Sequence, residues 1–599
     1  MRLTELFTGK HLLLIMASVL TFLLPSFSYA QTGGPYPHIT PQKPKSSASA
    51  PAITVKPRKK NVSGIIVIPS LKGVVFVSSV KSFNKNGVSP SALVGGLYIK
   101  SLPLLNNQAF IKNISLRLDK PLTFKGIDEI LSLVRSLYKS HNMPFMDVTA
   151  PPQNVSNGII QIVVIQYKVG RVKVSGNRYF SKNFILSQSN IYPGQVLSKS
   201  ALVSDMNWLN KNPFLHTEAL LSPGSTAGSM DINLLIKDVI PFRAYAGYDN
   251  QGIPSLGMNE WNAGFNYGNA FGLGQMLSYQ IAQSFNARYR SQSLSYDIPF
   301  SWHGIIKLTG FYSTASPYIN QYFSELGRNA QLSIYYKQEL SSFSIGGASF
   351  NQSTGIGYDF KTTNNNLAFG GLQVFQGTAQ IDQFPLFYKL SETDSLGITS
   401  LNNRFVISPG DMNADNSTAS FNTIYAGTRS NYIYDNIYIS RQEYLPLGAQ
   451  IVSGINFQTA NHNLLYSEQL AAGGIYSAPG YSPDAATGSR GVILNEELKL
   501  PPINIAPVFQ GTIPAYADTP LFVRPGLFWD YADLSSVDNV AGITGMPNTA
   551  VLESAGVSLH MLMAGYLDLR LAFGWKLRHM PYGSYGKGLF EDIAVTGGL

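Results

Sequence analysis

Thirteen residues near the end of the chain, 566–578, alternate between two chemistries with a period of two. Leu567, Leu569, Leu571, Phe573, Trp575 and Leu577 fall on one face. Asp568, Arg570, Ala572, Gly574, Lys576 and Arg578 fall on the other. A strand sends successive side chains to opposite faces, so one face suits lipid and the other a wet, charged interior. That is how a transmembrane barrel strand reads. The period recurs upstream. Leu277, Tyr279 and Ile281 alternate with Ser278, Gln280 and Ala282, and Leu332, Ile334 and Tyr336 with Gln331, Ser333 and Tyr335. No helical period is visible from residue 239 onward. About 360 residues, at about 22 per strand and turn, make about sixteen strands. Only a closed sheet leaves no unpaired edge in lipid. A soluble sandwich also alternates, yet seldom keeps polar residues on the inner face over such a length. The glycine-rich run 268–274 lacks the lysine and following helix of a phosphate loop and reads as a hairpin turn.

Residues 1–30 read as a secretory signal. Arg2 and Lys10 precede or open an apolar run from Leu12 to Leu24, and Ser28 and Ala30 form a small-x-small cleavage site. Residues 31–70 are a linker rich in Pro, Ser and Lys, with no helical period. The formal charge of +10 is concentrated here. Residues 1–63 hold eight Lys and Arg against Glu5 alone, leaving only +3 for the rest. A basic excess confined to a signal and a tail does not describe a nucleic-acid surface. With no cysteine in the chain, neither a disulfide framework nor a thiolate site is available.

Between residues 71 and 238 short strands alternate with amphipathic helices. Val74 and Phe76 open a strand. Thr123 caps a helix to Ser140 that carries Ile127, Ile130, Leu131, Val134, Leu137 and Tyr138 on one stripe. The β-branched run 158–165 closes a first module, 71–168. A second, 169–238, opens with the strand 170–177. Ser198 or Ser200 caps its helix, Pro213 stops it, and the strand 229–236 closes the module. Modules of this size form a small α+β core without a deep pocket. The fold class is thus α+β modules followed by an all-β transmembrane barrel, 239–599, of about sixteen antiparallel strands.

These residues carry a family resemblance. Pro151 to Gly158, Gly170 to Gly176, the pair Ser222–Gly224 and Gly228–Asp231, and the barrel's opening stretch Phe242 to Gly252 resemble the paired POTRA domains and barrel of two-partner secretion transporters of the haemolysin activation and secretion type. The resemblance spans residues 71–599 in the family's order and implies a sixteen-stranded barrel. It also implies an outer-membrane location, with the modules in the periplasm. By the same resemblance, Gly473, Gly474, Ser477, Pro479, Gly480 and Tyr481 lie in an inward-folded loop, and Phe528 and Asp530 on a lumen strand. The family pairs the strand carboxylate with a loop arginine, but Pro479 occupies that position here. The loop-to-wall salt bridge is therefore absent or rebuilt, with Arg490 the candidate substitute. Two other departures are a linker without the family's plug-helix pattern and an end at Leu599 without a terminal aromatic.

Enzyme chemistry has little support. No two of the eight histidines stand at i,i+4, and no Gly-x-Ser-x-Gly elbow occurs; no metal, cofactor or catalytic residue is expected. The resemblance implies a pore that recognises an unfolded exoprotein, bearing an N-terminal secretion domain, through its modules. The pore would pass that protein to the cell surface without nucleotide hydrolysis. Outer-membrane lipid and, during biogenesis, the barrel assembly machinery complete the expected partners. A barrel insertase of the same superfamily is the alternative.

Overall fold

The computed structural model describes residues 64–89, 93, 95–226, 228–318, 323–369, 372–505, 521–539, 548–563, 567–579 and 589–598. Ser28 and Ala30 of the expected cleavage site, and nearly all of the linker, lie outside these residues. The chain divides into two units, with the break at Val239–Ile240.

The first unit contains both modules. In module 1 the main sheet holds β1 (Gly73–Val77), β2 (Leu97–Lys100), β3 (Met146–Thr149) and β4 (Ile159–Gln166), in order β2-β1-β4-β3, and Ile66–Ile68 pairs separately with Leu122–Thr123. Helices α1 (Gln108–Ser115) and α2 (Phe124–Ser140) cover one face. Phe110, Ile114, Ile130, Val134 and Tyr138 pack there against Val74, Phe76, Ile160, Ile162 and Val164. Asn107 and Thr123 cap the two helices by accepting backbone N–H bonds. Module 2 comprises β5 (Lys168–Ser175), α3 (Lys182–Ser187), α4 (Lys199–Leu209), β6 (Leu215–Pro223) and β7 (Ser229–Asp238), in sheet order β5-β7-β6. The open choice of cap resolves to Ser198, whose hydroxyl accepts from Ala201 N. A register shift between Val169 and Val172 leaves Gly170 and Arg171 out of the ladder. The Asp231 carboxylate fills that gap, accepting Arg171 N at 2.8 Å and Arg171 Nε at 3.0 Å.

The second unit is a closed antiparallel barrel. Its spanning strands are β8 (Phe242–Asp249), β9 (Glu260–Ala270), β10 (Gln275–Ser284), β11 (Tyr289–Pro299), β12 (Gly304–Ala315), β13 (Phe323–Glu339), β14 (Ala348–Phe369) and β15 (Leu372–Thr393). They continue as β16 (Gly397–Ser408), β17 (Tyr432–Tyr444), β18 (Gln450–Ala460), β19 (Arg490–Lys499), β20 (Leu521–Ser535), β21 (Thr549–Met563), β22 (Leu567–Lys576) and β23 (Leu589–Gly598). Sixteen strands close when Tyr245 to Asp249 pair with Gly598 to Ala594. Alternation sets the faces: Leu527 and Trp529 are exposed, while Phe528 and Asp530 are buried. Of the run 268–274, residues 271–274 form the turn, with Phe271, Gly272 and Gly274 at positive φ, while 268–270 end β9.

Two features depart from the sequence reading. A short helix, α5 (Thr418–Ile424), stands in the connection between β16 and β17, although no helical period was expected after residue 239. Its Phe421 packs with Ala379, Ile381, Val406, Tyr432 and Tyr434. The hairpin β14–β15 also outgrows a bilayer. Twenty-two residues per strand extend about 70 Å, against an apolar band about 25 Å tall. Strand β16 pairs with β15 only from Phe384 to Thr393, so the part of β15 before Phe384 projects beyond it.

Candidate functional site

The connection between β18 and β19, residues 461–489, folds into the barrel and packs along its wall, with Leu470, Ala472, Ala478, Tyr481 and Ala486 in an apolar cluster with Ile493, Ala532, Leu534 and Leu552. Its tip is a tight turn. Gly474 N donates to Tyr481 O at 2.9 Å, and Gly473 N donates to the Ser477 hydroxyl at 2.8 Å. This brings Gly473, Gly474, Ser477, Pro479, Gly480 and Tyr481 together. The turn sits on β22 at Gly574. A Cβ at residue 574 would lie 2.3 Å from the Pro479 carbonyl carbon and 2.5 Å from Gly480 N. Only glycine admits so close a backbone approach.

Neutral donors and hydroxyls then fasten the tip. Gly480 N donates to Asp592 Oδ2 of β23 at 3.2 Å, and Ile475 N to Gln251 Oε1 at 2.7 Å. Gln251 Nε2 donates in turn to Asp592 Oδ1 at 2.8 Å. The Tyr481 hydroxyl reaches Arg578 O at 2.6 Å, and the Lys576 ammonium stands 5.4 Å from the Tyr481 ring centre.

Asp530 is where the sequence expectation needs correction. Arg490 does not reach it. The Arg490 Nε donates instead to Ser535 Oγ at 3.1 Å, because the register pairs those two residues at the far end of β20. Arg524, also on the inner face, donates to Gln450 Oε1. The partner of Asp530 is Asn495, directly opposite on β19. Asn495 Nδ2 donates to Asp530 Oδ1 at 2.7 Å and to the loop's Ser477 O at 2.8 Å. A neutral amide thus bridges wall carboxylate and loop backbone where the resemblance implied an ion pair. Phe528, the other residue of the strand motif, is buried with its ring against Gly556.

The loop's other attachment was not foreseen. Glu468, with a side chain fully removed from solvent, pairs with Lys361 Nζ of β14 at 2.5 Å. It also accepts from Gln383 Nε2 of β15 and the Tyr434 hydroxyl of β17, each at 2.9 Å. Beside it Arg404 Nη2 of β16 pairs with Asp359 Oδ2 of β14 at 2.8 Å, and Gln383 Nε2 also donates to Asp359. Two cations thus balance two carboxylates. Leu464 and Leu465 of the loop add apolar contact with Tyr432, Tyr434 and Phe421. Removing one partner of such a buried pair costs about 3–5 kcal/mol. A neutral hydrogen bond that water can replace nets only about 0.5–1.5 kcal/mol. Asp359 and Lys361 stand two apart on one face of β14, the one sequence signal that could have marked this wall.

The sequence itself matches two families. Residues 228–519 match haemolysin secretion/activation protein ShlB/FhaC/HecB, and residues 167–237 match POTRA, described as surface antigen variable number repeat. The heme/hemopexin transporter protein HuxB of Haemophilus influenzae is 23% identical over 461 residues, 74% of this chain and 76% of that protein. The outer membrane transporter CdiB of Dickeya dadantii is 22% identical over 364 residues, 58% of this chain and 61% of that one. Among solved structures, CdiB from Escherichia coli superposes with a TM-score of 0.71 at 15% identity, covering 91% of this chain and 93% of that one. CdiB from Acinetobacter baumannii gives 0.62 at 14%, covering 92% and 95%. The relatives are transporters rather than enzymes. Joined to a sixteen-strand barrel crossed by an inward loop, these matches make the chain a two-partner secretion transporter of the outer membrane.

Proposed function

We propose that this chain captures one unfolded exoprotein in the periplasm and passes it through the barrel lumen to the cell surface, where folding draws it across. The observation that carries the reading is the union, in one chain, of open-edged modules and a closed barrel whose lumen is crossed by a loop with a hydrogen-bonded tip. Capture works by strand addition, in which main-chain hydrogen bonds give affinity with little sequence demand. The nine-residue β6 suits this, since among the described residues it pairs with β7 on one side only and holds Leu220 exposed. Lipid covers the outward face of the barrel, and the cell's barrel assembly machinery inserts it.

The test compares a deletion strain with its parent by quantitative proteomics of culture medium and outer membrane. Loss of one large secreted protein, with other barrels unchanged, is the expected result. A broad fall in outer-membrane barrels would overturn the reading and make this an assembly factor. A chain lacking residues 71–238 should still form a pore but export nothing.

A further inference from the structure

Charge is unevenly spread over the outward face of the barrel. On β17, β19, β20 and β21 the outward positions include Asp435, Glu496, Asp533 and Glu553. On β9–β14 the described outward positions carry no carboxylate, and two exposed arginines stand there, Arg290 of β11 and Arg328 of β13. Both pair in register with Thr314 of β12, one from each side, so their backbones lie about 10 Å apart. Arg290 Nε donates to the neutral Gln283 Oε1 at 2.9 Å. Among the described residues neither guanidinium meets a carboxylate. The periplasmic modules lead into β8 at Phe242, and β9 and β10 run back and out again. The arginines therefore mark the extracellular end of this wall.

Down the wall from Thr314 the same face turns apolar. Gly310 lies between Leu294 of β11 and Leu332 of β13, which are 46% and 63% exposed. A Cβ on Gly310 would meet nothing within 4 Å, so packing does not demand glycine here. Its missing side chain leaves a furrow between two leucines, about 13 Å along the strand from the arginine level. A lone interfacial arginine only reaches for water. Two of them crowning an apolar furrow match a lipid's anionic head and its chain.

We propose that the outward face of β11–β13 binds an outer-leaflet lipid whose head group carries two phosphates. Arg290 and Arg328 hold the phosphates, and the Gly310 furrow seats an acyl chain. Guanidinium forks pair with phosphate oxygens in bidentate fashion, and basic clusters beside a membrane-covered wall select anionic lipids. Two forks at this spacing suit a broad head group with separated phosphates. The occupant enters sideways from the leaflet that already covers this wall. The inference rests on the outer-membrane location and is independent of translocation.

The full chain is purified in detergent, stripped of lipid and titrated with diphosphorylated lipid A, with binding read by native mass spectrometry. Dephosphorylated lipid A and phosphatidylglycerol are the comparison lipids, and unboiled gel migration confirms a folded barrel in each variant. Diphosphorylated lipid A should bind at least about ten-fold more tightly than either. Arg290→Gln with Arg328→Gln should lose about ten-fold of that affinity. Gly310→Leu fills the furrow, keeps both arginines and should weaken binding several-fold. Arg490→Gln removes an exposed arginine of β19 and should bind as the parent does.

Parental affinity in the double glutamine variant would overturn the site. An equal loss in Arg490→Gln would do the same, since only diffuse surface charge would then be at work. Equal binding of dephosphorylated lipid A or phosphatidylglycerol would overturn the two-phosphate head group, and parental affinity in Gly310→Leu the furrow. Displacement of the lipid by soluble polyglutamate at matching concentration would assign the face to an acidic protein instead.

Discussion

Asn495 serves two masters with one amide group: a wall carboxylate and a loop carbonyl. Its removal should therefore be felt twice. Asn495→Leu leaves Asp530 buried without a donor and frees Ser477 O, at a cost of about 1–3 kcal/mol for an unsatisfied buried group. The loop tip should become sensitive to added protease in intact cells, with the barrel still folded. Asp530→Asn should be mild, because an asparagine oxygen can still accept from Asn495. If Asp530→Asn loosens the loop as much as Asn495→Leu, the negative charge matters and the amide bridge is not the fastener. The sequence made Asp530 legible as an inward carboxylate, because it sits one residue from two outward apolar neighbours. It did not reveal Asn495. A small amide on a polar face looks like its neighbours until the register places it opposite.

At the scale of elements, the bulge in β5 shows what a motif does. Gly170 and Asp231 lie 61 positions apart in sequence, and each explains the other. A Cβ on residue 170 would sit 2.3 Å from Asp231 Oδ1. Gly170→Ala should thus cost about 1–3 kcal/mol by overpacking, read as a lower urea midpoint of the modules. The backbone hydrogen bond from Arg171 holds the Asp231 carboxyl below the usual carboxylate range. A depressed folded value adds stability above the unfolded value, about 3.9, and loses it as pH falls through the folded one. Asp231→Asn should therefore destabilise the modules at neutral pH, with the deficit vanishing in acid. A deficit that persists unchanged in acid would show that the carboxylate's charge is irrelevant. Strands and module helices were legible because each buries a face at a fixed period. Helix α5 was not, since Thr418–Ile424 is too short to display one and Phe421 is its single buried side chain.

Across the whole molecule, two kinds of stability are joined in one chain. The modules rest on small apolar cores such as the one around Val74, Phe76 and Val134. Denaturant weakens cores of this kind by solvating what unfolding exposes. The barrel closes its hydrogen-bond ladder from β8 round to β23, so no strand can leave without breaking bonds on both sides in lipid or detergent. That the barrel could be read from alternation alone follows from the same constraint, which forces every strand to face lipid outward and water inward. The lumenal loop obeys no such period: the resemblance turned its tip inward, but its partners on the wall emerged only from the fold. The two units should unfold separately. In detergent with increasing urea, trypsin should digest the modules first, leaving a resistant fragment that begins near Ile240, the boundary between the units. Unboiled gel migration should report that fragment as still folded until it is heated. A single transition, with module digestion and barrel unfolding at one urea concentration, would mean that the units stabilise one another and fold as one.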